Sequence, residues 1–364
     1  MYTITIVAGA RPNFIKIAPI INAIKKSNSN INYRLVHTGQ HYDKNMSDSF
    51  FEQLNISKPD INLECSGGTQ AELTASLMLA FEKDLIENPT DLVLVVGDVT
   101  STMACAIVTK KLNTKLAHVE GGIRSYDLTM PEEINRMVTD SISDYFFTTS
   151  EKANTNLLQV GIDDGRIFFV GNTMIDTLLA HRKVFVQPKL WTNLDLKKKS
   201  YIMLTMHRPA NVDAEHKLKA MIDEIMLRTR DFQVIFPAHP RTSKMLSNLN
   251  ISHERLHIIK PLSYLEFNYL VEHSKAVITD SGGITEEASV LNVPCLTLRD
   301  NTERPETVSL GTNVLVGTNP KSLKTHLDVL FKDQWKKGQT IPLWDGKAAE
   351  RIVNVIIEKL KVKN

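Results

Sequence analysis

Twice along this chain a series of short apolar runs alternates with helix-length amphipathic stretches. That alternation leaves little room for anything but parallel sheets built from βαβ units. The first series predicts strands at Thr3–Val7, Tyr33–His37, Leu92–Val96, Lys115–Val119 and Tyr145–Thr148, with helices such as Phe14–Lys26, Ala71–Glu87 and Ser101–Leu112 between them. The second begins after the lysine-rich Lys197–Lys199 and predicts strands at Tyr201–Thr205, Gln233–Phe236, Leu256–Ile259, Ala276–Thr279 and Cys295–Leu298. Two doubly wound α/β domains follow, and 364 residues suffice for two cores. The break falls between Gly171 and Ser200, where Val186-Gln-Pro-Lys-Leu-Trp191 interrupts the pattern. We assign residues 1–172 to an N-terminal domain, 173–345 to a C-terminal domain and 346–364 to a closing amphipathic helix.

Composition excludes several classes of function. The net charge is only +2 and no long basic block is present, which argues against nucleic acid as a main partner. Three widely separated cysteines, Cys65, Cys105 and Cys295, lack metal-ligand spacing and are expected to be free thiols in a reducing cytoplasm. Met1–Val7 is expected to be a first strand and not a signal peptide. No apolar run approaches the roughly 20 residues that cross a bilayer.

In open parallel sheets, ligands collect beyond the carboxyl ends of the strands. After the strand at Ala276, Ser281, Gly282 and Gly283 lead into a helix expected near Ile284. Backbone amides at such a junction can cradle a diphosphate, and Glu287, one turn on, suits ribose hydroxyls. An ordinary glycine-rich turn is the alternative, since the stretch is neither a Walker A loop nor G-x-G-x-x-G. Arg11 and Lys16 follow the first strand, as phosphate or uridine ligands or as surface charges. His41, after the second strand, is equally open between structure and function. Asp98 and Glu120 each directly follow a buried strand, where partial desolvation raises a carboxyl pKa and makes a general acid or base. Asp98 has an alternative as an N-cap, and Glu132 with Arg136 has one as a plain i,i+4 ion pair. In the second domain His207 with Arg208, and His239 with Arg241, stand at strand ends, and Arg304 has the reach for a pyrophosphate. Together these residues describe a cleft with carboxylates on one wall and phosphate ligands on the other.

The motifs Gly9-Ala-Arg-Pro12, Gly97-Asp98, His118-Val-Glu-Gly-Gly-Ile-Arg124, Pro131-Glu-Glu-Ile-Asn-Arg136, Gly171-Asn172-Thr173, His207-Arg208, Thr279-Asp-Ser-Gly-Gly283 with Glu286-Glu287, and Arg299-Asp-Asn-Thr-Glu-Arg-Pro-Glu306 occur in order. They resemble the non-hydrolysing UDP-N-acetylglucosamine 2-epimerases from the first strand to the last helix. The resemblance implies two Rossmann-like domains facing a cleft, the glycosyltransferase-B architecture, with the C-terminal helix returning to the N-terminal domain. It implies inversion at carbon 2 through anti elimination of UDP, a 2-acetamidoglucal intermediate and re-addition, giving UDP-N-acetylmannosamine for surface polysaccharide. Matched position by position, Asp98, Glu120 and Glu132 are the catalytic acids and His207 is the histidine beside the diphosphate. Arg11, Lys16, Arg136, Ser281, Gly282, Gly283, Glu287 and Arg304 match substrate contacts. The reaction needs no redox cofactor or metal, and a homodimer is the family-level expectation. Gln40-His-Tyr-Asp43, His207-Arg-Pro-Ala210 and Gly67-Gly68 depart from the segments that bind an activating second substrate in many bacterial members. Trp344-Asp-Gly-Lys-Ala348 is similar to relatives acting on UDP-2,3-diacetamido-glucuronic acid, whereas Thr302-Glu-Arg-Pro305 is similar to the N-acetylglucosamine enzymes. A glycosyltransferase, a silent sugar-nucleotide sensor and a hydrolysing epimerase remain as alternatives.

Overall fold

A parallel strand covered by helices on both faces must be apolar throughout, and Leu92–Val96 and Tyr201–Thr205 are buried at every position. Each lies near the middle of its own sheet. The computed structural model describes residues 2–27, 29–40, 48–229, 231–238, 240–249, 251 and 253–361. The chain divides into two compact units, one of residues 1–179 with 342–364 and one of residues 180–341. No helix among the described residues is long and apolar enough to cross a membrane.

In the first unit the strands are β1 (Tyr2–Ala8), β2 (Ile31–His37), β3 (Ile61–Asn62), β4 (Leu92–Val96), β5 (Lys115–Val119), β6 (Tyr145–Thr148) and β7 (Ile167–Phe169). Among the described residues they form a seven-stranded parallel sheet in the order β3-β2-β1-β4-β5-β6-β7. The second unit holds β8 (Tyr201–Thr205), β9 (Gln233–Pro237), β10 (Leu256–Ile259), β11 (Ala276–Thr279), β12 (Cys295–Thr297) and β13 (Asn313–Leu315). Among the described residues these form a six-stranded parallel sheet in the order β10-β9-β8-β11-β12-β13. Strand order reverses direction between β1 and β4 in one sheet and between β8 and β11 in the other. At such a point the connections leave in opposite directions and open a crevice at the carboxyl edge.

The helix Ala348–Lys359 belongs to the first unit. Its Ala349, Ile352, Val353 and Ile356 share a core with Phe14, Ile17, Ile21 and Ile24 of the helix Arg11–Lys26. Asp176 caps its start by accepting from the amides of Ala348 (3.1 Å) and Ala349 (2.7 Å). The approach to this helix is docked as well. The Trp344 indole donates to the Thr149 carbonyl at 2.9 Å. At Gly171, φ is +94° and a Cβ would stand 2.0 Å from the Leu343 carbonyl oxygen, so only glycine fits. Two of the motifs, Gly171-Asn172-Thr173 and Trp344-Asp-Gly-Lys-Ala348, therefore meet in joining the chain's last segment to the first unit.

Candidate active site

In the first unit the turn after β1 is held by one side chain. Asn13 Oδ1 accepts from the amides of Gly9 (3.1 Å) and Ala10 (2.9 Å), and its Nδ2 donates to the Val96 carbonyl at the end of β4. One turn into the helix, the buried Lys16 donates from Nζ to Glu120 Oε2 at 2.8 Å. Glu120 follows β5 with φ of 69°, in the left-handed region, which costs a residue with a side chain about 1–3 kcal/mol and recurs at functional sites. The Gly97 amide donates to the Val119 carbonyl at 3.0 Å, bringing the ends of β4 and β5 together. A Cβ on Gly97 would stand 3.5 Å from Lys16 Nζ and 3.8 Å from Glu120 Oε2, so this glycine lies against the ion pair.

Asp98 and Arg136 form the second pair. Arg136 Nη1 donates to Asp98 Oδ2, and Asn135 Nδ2 donates to the Asp98 carbonyl at 2.8 Å. The guanidinium is buried while the Asp98 carboxylate is 31% exposed, so the acid is the member that meets solvent. Glu133 holds Arg136 from the other side, at 3.0 Å to Nε and 2.7 Å to Nη2, and also accepts from the amides of Ser125 (2.9 Å) and Tyr126 (3.0 Å). Burial alone would raise the Glu133 carboxyl, but these amides and Arg136 outweigh it and hold it below the usual range.

Two alternatives from the sequence fall here. Arg136 pairs with Glu133 at i,i+3 and with Asp98 in the turn after β4, and half-buried Glu132 has no hydrogen bond or ion pair to any described residue. The N-cap of the helix Thr100–Lys111 is Val99, not Asp98, and Gln40 Oε1 accepts from the Ser101 amide at 2.9 Å. Arg11 lies over the Phe50 ring at 5.1 Å.

In the second unit the buried Asp280, directly after β11, organises the turn after β8. Its carboxylate accepts from the amides of His207 (3.0 Å) and Arg208 (2.9 Å), from Asn211 Nδ2 (3.0 Å) and from His207 Nδ1 (2.9 Å). Burial raises the carboxyl, but His207, Asn211 and Arg208 outweigh it and keep it below the ordinary range. The carboxylate is therefore an acceptor, so Nδ1 carries a proton and Nε2 is presented on a side chain 54% exposed.

The helix of the second site starts at Gly282, two residues earlier than expected. The Ser281 amide is not available to an anion, because it donates to Thr279 Oγ1 at 3.0 Å. The amides of Gly282 and Gly283 open the helix with no intrahelical acceptor. Arg304 is committed in part to Glu286, to which its Nε donates. Arg299 is better aimed at the helix start. Its Nη2 holds Glu303 at 2.6 Å, while its buried Nη1 has no hydrogen-bond partner among the described residues and lies 4.0 Å from where a Cβ on Gly282 would stand. Arg299, and its bonds above all, hold Glu303 down at about 2 against the raising effect of burial.

Glu287 is buried, and Oε1 accepts from Tyr264 Oη at 2.9 Å and Asn268 Nδ2 at 3.4 Å. Burial, with neighbouring Glu286 adding to it, pushes this carboxyl up to about 7. Among the described residues no group of His, Cys, Asp and Glu is arranged to hold a metal ion. His41 and His239 lie outside the described residues, as does the side chain of Arg241.

Asp280 was legible by the rule that marked Asp98 and Glu120, an acid directly after a buried strand. Arg299 had no such signal, because it and Arg304 flank the same charged turn.

The profile of the UDP-N-acetylglucosamine 2-epimerase family matches residues 22–357. The chain belongs to this family. A UDP-N-acetylglucosamine 2-epimerase of Methanocaldococcus jannaschii is 42% identical, over 97% of this chain and 98% of its own length. The UDP-2,3-diacetamido-2,3-dideoxy-D-glucuronate 2-epimerase of Pseudomonas aeruginosa is 38% identical, over 98% of this chain and 99% of its own. The crystal structure of M. jannaschii UDP-GlcNAc 2-epimerase in complex with UDP-GlcNAc and UDP matches with a TM-score of 0.89 at 41% identity, covering 98% of this chain and 99% of that one. The 2-epimerase family assignment and the two parallel sheets place this chain in the glycosyltransferase-B-like class.

Proposed function

We propose that this 2-epimerase family member interconverts UDP-N-acetylglucosamine and UDP-N-acetylmannosamine. The observation that carries the reading is the likeness to the M. jannaschii enzyme, which was crystallised with UDP-GlcNAc and UDP. Carbon 2 of the pyranoside has no adjacent ring carbonyl, so an enolate is not available. In the proposed course a base removes the C2 proton while the C1–O bond breaks, and UDP departs with the electron pair to leave 2-acetamidoglucal. An acid then protonates C2 from the opposite face and UDP re-adds at C1.

The chain's residues divide this work. Asp98, Glu120 and Glu132 supply acid–base groups, with Lys16 and Arg136 holding two of them in place, and Arg11 serves as a substrate contact. The Gly282 and Gly283 amides, the Ser281 hydroxyl, His207, Arg299 and, beside it, Arg304 stabilise the departing diphosphate, and Glu287 accepts from ribose hydroxyls. Incubation with UDP-N-acetylglucosamine in D2O tests the reading. Deuterium is expected at C2 in both epimers without any acceptor, and retained protium overturns it. Free N-acetylmannosamine would mark a hydrolysing enzyme, and acceptor-dependent consumption a glycosyltransferase.

The P. aeruginosa relative supports a second substrate, a UDP-2,3-diacetamido-glucuronic acid, and a panel of UDP-amino sugars in the same assay separates the two. We place the protein in the cytoplasm, in keeping with three free cysteines, and as a homodimer. The helices Gln70–Glu87, Thr100–Lys111 and Pro131–Ile142 pack side by side, and the outer two expose Leu79, Ile86, Ile134 and Met137, an apolar face suited to a second copy. A monomer in sedimentation at micromolar concentration would exclude the dimer.

A further inference from the structure

Two residues before Glu120, the imidazole of His118 is wholly buried. Its Nε2 lies 2.8 Å from the Gly97 carbonyl oxygen and its Nδ1 lies 2.7 Å from Asp140 Oδ1. A carbonyl oxygen only accepts, so Nε2 bears a proton. Asp140 Oδ2 meanwhile accepts from the Gly122 amide at 3.0 Å and from Arg124 Nη1 at 2.6 Å. Burial would raise this carboxyl, but His118 and then Arg124 outweigh it and hold it below the ordinary range. Both ring nitrogens are thus engaged, and the imidazole is fixed between a carbonyl oxygen and a carboxylate oxygen.

This cluster touches both turns that carry the acids. Gly97, with φ of +70°, directly precedes Asp98, and its carbonyl is the oxygen that His118 holds. Gly122, with φ of +79°, follows Glu120 by two residues, and its amide is the one that Asp140 holds. A Cβ on Gly122 would stand 2.4 Å from the Ala153 carbonyl oxygen, and Asn156 Nδ2 donates to the Gly122 carbonyl at 2.9 Å, so this turn has no room to shift. His118 and Arg124 both hold the one Asp140 carboxylate, beneath the two acid-bearing turns. None of these groups is required by the proton transfers themselves.

We infer that His118 and Asp140 are positioning residues that act through Gly97 and Gly122 to fix Asp98 and Glu120 relative to each other. The inference rests on the epimerase reading. Asp140→Asn tests it with little change of shape: it removes the carboxylate that holds the His118 ring, the Gly122 amide and Arg124 together. The expected result is a fall in kcat of about 10- to 100-fold, the scale of small misplacements of catalytic groups, with KM changed less than about threefold and UDP affinity unaltered. A folded variant with the parent's kcat overturns the inference, as does a loss carried mainly by KM. A measurement on the unaltered protein stands beside it: 15N-histidine spectra are expected to show His118 Nε2 protonated, and an Nε2 without a proton overturns the inference whether or not the variant folds. If the unaltered protein exchanges no C2 proton in D2O, the epimerase reading has failed instead, and the spectra still report on the pair.

Discussion

The carboxyl edges of the two sheets have the same construction and opposite electrostatics. In each, strand order reverses beside the unit's first strand, and the turns that follow the neighbouring strands carry the charged residues. In the first unit acids end β4 and β5, and cations reach them from helices, Lys16 to Glu120 and Arg136 to Asp98. In the second unit the acid that ends β11, Asp280, is consumed in holding amides and an imidazole, and what remains outward is His207 and the two glycine amides at a helix start. One edge presents carboxylates steadied by cations and the other presents donors steadied by a carboxylate. The architecture fixes where chemistry gathers, and the side chains decide whether it is proton transfer or anion binding.

That division can be broken most severely at Glu120. Glu120→Gln is expected to lower C2 exchange by about 100- to 10,000-fold, the range for a lost acid–base group, with UDP affinity changed less than about twofold. Calorimetry showing a large loss of UDP binding would place Glu120 on the nucleotide. The converse variant, Gly282→Ala, brings a methyl to 2.9 Å from Glu303 Oε1, on a carboxylate that Arg299 pins through Oε2. UDP affinity should fall about tenfold, near 1.4 kcal/mol, with KM rising more than kcat falls.

A smaller effect concerns pH. With Glu287 pushed up to about 7 by burial, a ribose bound to its ionised form should hold less tightly in acid, releasing a proton on binding near neutrality. UDP affinity should drop about fivefold from about pH 8 to about pH 6, and Glu287→Gln should flatten that profile. An unchanged slope in the variant assigns the pH dependence elsewhere. The smallest effect on turnover is expected at Asp176, pushed up to about 6 from an ordinary 3.8 by burial. Because the folded state binds this proton more tightly than the unfolded chain, its contribution is favourable below about pH 4 and is lost as pH rises through about 6, on the order of 2–3 kcal/mol. Asp176→Asn should remove that part of the pH dependence in chemical denaturation while leaving UDP affinity alone.

The central strands were legible because burial on both faces writes an unbroken apolar run, as in Leu92–Val96. The edge strands β3, β7 and β13 were not, since two or three residues are too few to carry a pattern. Asp98 and Glu120 stood out by position, each being the first acid beyond a strand. The partner of Arg136 did not, because spacing along its own helix favoured Glu132, and only the folded sheet brings Asp98, 38 residues away, into reach. Asp140 had even less to mark it. On an amphipathic helix it reads as a solvated residue, whereas in the fold it is buried against His118, Arg124 and the Gly122 amide.

The docked helix Ala348–Lys359 has a consequence for how the molecule is made. Ile352, Val353 and Ile356 complete a core whose other members, such as Phe14 and Ile17, leave the ribosome more than three hundred residues earlier. Residues 180–341 are all synthesised before that core can close. The usual order of maturation along a nascent chain, first domain first, is thereby inverted, and the amino-terminal half must wait with an apolar groove uncovered until Ala348–Lys359 has been made.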